Sequence, residues 1–119
     1  MKLYHTTTVK RAEIIKSKGF HDAEGSYGLA YEDGTPFYIR GVFFSDFPLG
    51  PGDGLPTNAS EVFVIDIPED MIESYEIIEE GKGYREWCIP ASVANKYFTE
   101  RESIALDSLL WGFEKNTSN

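Results

Sequence analysis

Gly41-Val42-Phe43-Phe44-Ser45-Asp46 is the stretch whose reading decides the fold. A glycine precedes three bulky apolar residues, and a serine and an acid follow. Val and Phe suit a pleated, half-buried surface, and turn residues close both ends, so the run reads as a short buried strand. A strand sends Val42 and Phe44 to one face and Phe43 and Ser45 to the other. A ring beside a hydroxyl can floor a pocket, although a core strand needs no such role. The partners that would make it a site are a histidine upstream, His5, and a glutamate downstream, Glu86, both on strand-like segments.

Upstream of this strand, residues 2–6 alternate and read as a first strand. Thr7 or Thr8 is placed to cap a helix over 9–18, with Val9, Ala12, Ile14 and Ile15 on its apolar face and Gly19 as its C′ residue. Residues 20–40 lose all periodicity and carry Tyr27, Tyr31, Phe37 and Tyr38 among glycines, which suggests a functional loop. Downstream, residues 47–58 contain Gly50-Pro51-Gly52-Asp53-Gly54 and read as a lid or an exposed loop, with the exposed loop favoured. Residues 61–67 alternate cleanly as a strand up to Pro68, which opens a short helix through about residue 73. Strands are expected at 74–79, 84–89 and 98–107, with a short helix at 91–97. The tail, 108–119, either docks or frays. About six strands and three short helices in mixed order give an α+β class, with residues 1–107 as a single domain.

Composition narrows the function. A chain of 119 residues is one domain's worth, long enough to fold without covalent staples. Eleven basic against twenty acidic residues give a net charge of −9, which repels phosphate backbones and anionic lipid; neither nucleic acid nor membrane is an expected partner. The single cysteine, Cys88, excludes an internal disulfide, and the N-terminus has no apolar signal region, so a soluble cytoplasmic protein is expected. Two histidines and one cysteine show no ligand spacing, so no metal site is expected. Cys88 with His5 as base would make a nucleophile, but no third orienting group accompanies them. His21 reads as a surface residue. Glu86, between Arg85 and Trp87, is a disfavoured residue type for a strand interior. It is either an edge glutamate paired with a surface lysine or one kept for chemistry.

Three segments in order resemble the ADP-ribosyltransferase superfamily, in the His-Tyr-Glu branch that includes the poly(ADP-ribose) polymerases. Leu3-Tyr4-His5-Thr6-Thr7 is similar to the first-strand histidine motif. Gly41-Val42-Phe43-Phe44-Ser45-Asp46 is similar to the second key strand, and Glu86-Trp87-Cys88-Ile89-Pro90 to the glutamate strand. The match spans about residues 3 to 97. It implies a split fold of two small packed β-sheets with short flanking helices, and NAD as substrate. It assigns His5 to the adenosine ribose, Thr6 to the nicotinamide amide through its backbone, and Phe43 to stacking on nicotinamide, where the family usually has tyrosine. Ser45 is a further candidate for the amide, Tyr38 (or Tyr27 or Tyr31) for the opposite wall, and Arg40 or Arg11 for the pyrophosphate.

Glu86 becomes the catalytic residue, its carboxylate stabilising the oxocarbenium-like ion formed as nicotinamide leaves. The implied activity is mono-ADP-ribosyl transfer, a glycosyltransferase reaction from NAD to a protein acceptor, in a bacterial or phage conflict setting. The alternative is a catalytically silent relative that binds NAD, ADP-ribose or a basic protein partner, as an inhibitor or immunity protein would. The tRNA 2′-phosphotransferase relatives rank last, because this chain's charge is opposite to what RNA requires. His5, Phe43 and Glu86 are expected to converge on one cleft.

Overall fold

A strand and a helix open the chain without a break: β1, Lys2–Thr8, runs directly into α1, Val9–Lys18. Thr8 stays extended while its hydroxyl accepts the Arg11 N–H at 3.3 Å, which satisfies one of the helix's orphan donors. Gly19 ends α1 at φ +81°, its N–H donating to the Ile15 carbonyl at 2.8 Å. A Cβ there would lie 2.9 Å from Asn95 Oδ1, so glycine is required twice over. The helix has the expected bounds but a narrower buried face. Ala12 and Ile15 are buried, whereas Val9 and Ile14 stay largely exposed, because only one edge of the stripe meets β1 and β4.

The computed structural model describes residues 1–25, 30–36, 38–79 and 81–117. After β2 (Ala23–Gly25) come β3 (Ile39–Ser45), β4 (Ala59–Asp66), β5 (Glu76–Ile77) and β6 (Glu86–Ile89). They are followed by α2 (Ala91–Ala94), β7 (Ile104–Ala105) and α3 (Leu106–Thr117). The strands form an antiparallel seven-stranded sheet in the order β5-β6-β3-β1-β4-β7, with β2 pairing β3 off that path. This is a mixed α+β domain, as expected. Several elements are shorter than their sequence suggested. The segment after Pro68 makes two 3-10 turns, Glu69–Met71 and Glu73–Tyr75, which leave room for only two strand residues in β5. The expected strand over 98–107 shrinks to β7 because Leu106 already begins a helix.

Each face of the sheet has its own core. Leu3, Val42, Phe44, Phe63, Ile65, Trp87 and Ile89 pack beneath Ala12 and Ile15 of α1 and Ala91 and Ala94 of α2. Full burial of each large side chain contributes about 1.5–3 kcal/mol before entropy is counted. On the opposite face Tyr4, Val62 and Leu106 form a smaller cluster with Leu109, Leu110 and Phe113. The C-terminal segment therefore docks as a helix, and a domain limit at residue 107 would fall within its first turn.

One junction in the sheet is weak. β1 and β4 register from Lys2↔Asp66 to Thr8↔Ala59, but β1 and β3 share the single pair Tyr4↔Ser45. Beyond that pair the two strands part.

Candidate functional site

Where β1 leaves β3, a side chain takes over from the backbone ladder. His5 Nδ1 lies 2.7 Å from the Phe43 carbonyl oxygen. A carbonyl only accepts, so Nδ1 carries the proton, and in the neutral ring Nε2 is left as an acceptor. The imidazole packs edge-on against Phe20 (5.4 Å between centroids) and at a tilt to Phe44 (5.6 Å). Burial lowers its pKa from the ordinary 6.5, and the Arg11 guanidinium adds to that, against the opposing pull of the Phe43 carbonyl. The ring is therefore held neutral at pH 7.

The parting opens a cavity of about 920 Å³ lined by His5 of β1, Phe43 of β3 and Glu86 of β6. That volume lies within the roughly 300–1,000 Å³ usual for small-molecule sites. Three residues far apart in sequence thus line one hollow. Glu86 is aimed there by its neighbours. Arg85 points the other way, gripping Glu76 through Nε (3.0 Å) and Nη2 (2.8 Å) and Glu69 through Nη1 (2.9 Å), with its guanidinium over the Trp87 ring. Its backbone also exchanges hydrogen bonds with Asp46, which extends the β3–β6 ladder. With Arg85 and Trp87 fixed on one side, strand alternation turns Glu86 to the other. Gly41 lets β3 and β6 approach: a Cβ there would lie 2.7 Å from Cys88 Sγ and 3.0 Å from the Ile89 carbonyl oxygen.

Among proteins known by family model, by curated sequence or by solved structure, none matches this chain. The site's chemistry rests on its own residues.

Glu86 is not a bare carboxylate. Lys82 Nζ donates to Glu86 Oε1 at 2.8 Å, lies 3.2 Å from Glu79 Oε2, and sits 5.3 Å from the centre of the Tyr84 ring. The lysine pairing raised in the sequence is therefore present, but β6 is an interior strand, between β5 and β3. The paired carboxylates raise the Lys82 pKa, outweighing the opposite pull of burial, so the ammonium stays charged. Among the described residues lining the cavity, Arg11 and Lys82 face four carboxylates, those of Asp22, Asp53, Glu79 and Glu86.

The other sequence candidates divide. Thr6 lines the cavity, but its hydroxyl donates to the Leu49 carbonyl at 2.7 Å. Ser45 also lies at the wall; it is buried and its one hydroxyl proton goes to the Phe47 carbonyl at 2.6 Å, which leaves the oxygen only as an acceptor. Arg11 lines the cavity and Arg40 does not. Arg40 pairs with Glu24 on the β2–β3 ribbon and borders a second hollow of about 550 Å³ beside Cys88. Tyr38, at the start of that ribbon, is 60% exposed and lines neither hollow. Of these two candidates, neither is among the residues that line the first cavity. Tyr31 is exposed as well, and Tyr27 lies outside the described residues. Cys88 faces the second hollow, and burial, with help from Asp22 and Glu86, pushes its thiol up to about 11, the wrong direction for a nucleophile.

The 47–58 segment is a wall and not simply an exposed loop. Leu49 is buried, and Asp53, Gly54, Leu55, Pro56 and Asn58 border the cavity. The bond from Thr6 to Leu49 holds it there, and that from the Gly50 N–H to Asp53 Oδ2 (2.9 Å) closes a turn within it. Sequence reading favoured the exposed loop over a lid here, and did not single out Lys82 or Tyr84. A lysine between two glycines, four residues before the glutamate, was the available signal. Among the described residues no group of three or more His, Cys, Asp or Glu could hold a metal, and no helix is long and apolar enough to cross a membrane.

Proposed function

We propose that this chain is an NAD-dependent mono-ADP-ribosyltransferase acting on a protein, with the parting of β1 from β3 as the split of that fold. One observation carries the reading: His5, Phe43 and Glu86 come from three strands to line a single cavity of ligand size. In the proposed complex nicotinamide stacks on the Phe43 ring, for which a π-face is sufficient. His5 Nε2 accepts from a ribose hydroxyl, and the Thr6 backbone meets the nicotinamide amide. The bond between ribose C1′ and the nicotinamide nitrogen breaks, its electron pair leaving with neutral nicotinamide. Glu86 stabilises the positive charge that develops on the ribose, and a nucleophile of the acceptor then bonds to C1′.

The test is release of nicotinamide and transfer of label from labelled NAD to protein in a cell lysate. Glu86→Gln should lower both by about 10²–10³-fold while NAD still binds. Equal activity in the variant would remove Glu86 from the chemistry and end this reading.

A second reading, a silent NAD- or ADP-ribose-binding module, is favoured by the ammonium seated on Glu86 and by the hydroxyl that Phe43 lacks. Calorimetric binding of NAD by the unmodified chain with no nicotinamide released would select it.

A further inference from the structure

The connection from β5 to β6 brings Glu79, Lys82, Tyr84 and Glu86 to one wall of the cavity. Lys82 is the only cation of that wall among the described residues, and its ammonium is already shared between two carboxylates. Lys82 and Glu86 keep only 20% and 14% of their side-chain surface exposed, so salt screens the pair less than it would a surface pair. A ligand bearing phosphate must find positive charge in a cavity dominated by carboxylates, and Lys82 cannot serve Glu86 and a phosphate equally. Gly81 sits at φ +80°, and a Cβ on Gly81 or Gly83 would meet nothing within 4 Å. The lysine is thus flanked by two glycines that open onto free space.

We propose that Lys82 is a shared counter-ion and the positioning residue for Glu86: its one ammonium holds either the carboxylate or the phosphate of a ligand, so that binding a phosphate uncovers the carboxylate. This rests on the transferase reading for its consequence, since an uncovered Glu86 is then the form that stabilises the reacting ribose. It gives the site a selectivity for ligands that carry an anionic group, because a neutral or cationic nucleoside leaves the lysine on Glu86.

The experiment is a double-mutant cycle read by calorimetry, with inorganic pyrophosphate titrated onto the full chain at one fixed salt concentration. Glu86→Gln leaves the lysine with Glu79 as its one carboxylate partner and should tighten pyrophosphate binding roughly tenfold. The same substitution in a Lys82→Met background should change it by less than about twofold, while Lys82→Arg, which keeps the charge, should restore the gain. An equal gain in both backgrounds would mean that only bulk charge is at work, and would overturn the proposal. So would the absence of pyrophosphate binding in all four proteins of the cycle. Nicotinamide release from NAD, measured on the same proteins, separates the two ideas. Coupling without release sinks the transferase and leaves the counter-ion standing; release without coupling does the reverse.

Discussion

The two blocks of the sheet are built to different standards. In the β7-β4-β1 block, β4 is paired on both sides, and Val62 and Phe63, adjacent on it, are fully buried on opposite faces. In the β5-β6-β3 block, Phe44 and Trp87 are as deeply buried on one face, but Phe43 and Glu86 on the other are only partly covered. Between the blocks stands one registered pair, with an imidazole bridging where the next ladder bond would be. A sheet selected for stability alone would continue the ladder. Giving it up at this place leaves His5, Phe43 and Glu86 lining one hollow, at a cost in backbone pairing.

The comparison is tested most severely by a matched pair of truncations. Phe63→Ala removes a ring packed against Phe20 and Phe98, at 5.8 and 5.5 Å between centroids. It should cost about 3–5 kcal/mol in urea unfolding. Phe43→Ala removes a partly buried ring from β3 and should cost less than half as much, and if the proposed transferase reading holds it should weaken NAD binding as well. Similar losses from the two would make Phe43 a core residue and dissolve the distinction.

The next effect lies where the second block is closest packed. Gly41→Ala places a Cβ against Cys88 Sγ and the Ile89 carbonyl, which should cost about 1–3 kcal/mol by overpacking. Cys88→Ala in the same chain removes one of the two obstacles and should recover part of the loss. No recovery would mean that the backbone contact dominates. In the first block, Thr8→Ala removes only the cap of α1 and should cost about 1 kcal/mol, with no change in ligand binding.

These sites also show what a sequence can disclose. α1 was readable end to end because each of its signals is local: a threonine cap, an apolar stripe and a glycine stop. β4 was readable because its alternation is strict. α3 was missed although Leu106, Leu109, Leu110 and Phe113 recur at helical spacing, since three adjacent apolar residues, 109–111, masked the period. β5 and β7 are set by what their partners and the adjoining turns leave over, which is not local information. In the site, His5, Phe43 and Glu86 carried recognisable strand context. The wall at 49–58 did not, because it is fixed by a hydrogen bond between residues 43 apart. Arg40 and Arg11 were equal candidates by charge, and only the direction of the β2–β3 ribbon separates them.

The smallest effect concerns a single proton at the junction. Burial holds His5 below its ordinary pKa of 6.5, whereas in the unfolded chain it titrates near that value. As pH falls below 6.5 the unfolded state takes up the proton first, so stability is full above that pH and declines on acidification through the lower folded value. The bond to Phe43 survives protonation, because Nδ1 is the donor in both forms; what disappears is the Nε2 lone pair. His5→Asn keeps a donor near the Nδ1 position and cannot titrate. Urea midpoints followed from about pH 7.5 to about pH 5.5 should therefore fall more steeply for the unmodified chain than for this variant. Carboxylates and His21 are common to both proteins, so the difference isolates the one ring. Parallel curves would mean that His5 is solvated enough to titrate normally, and the junction would then be an ordinary gap in the sheet and not a place where burial holds the imidazole neutral.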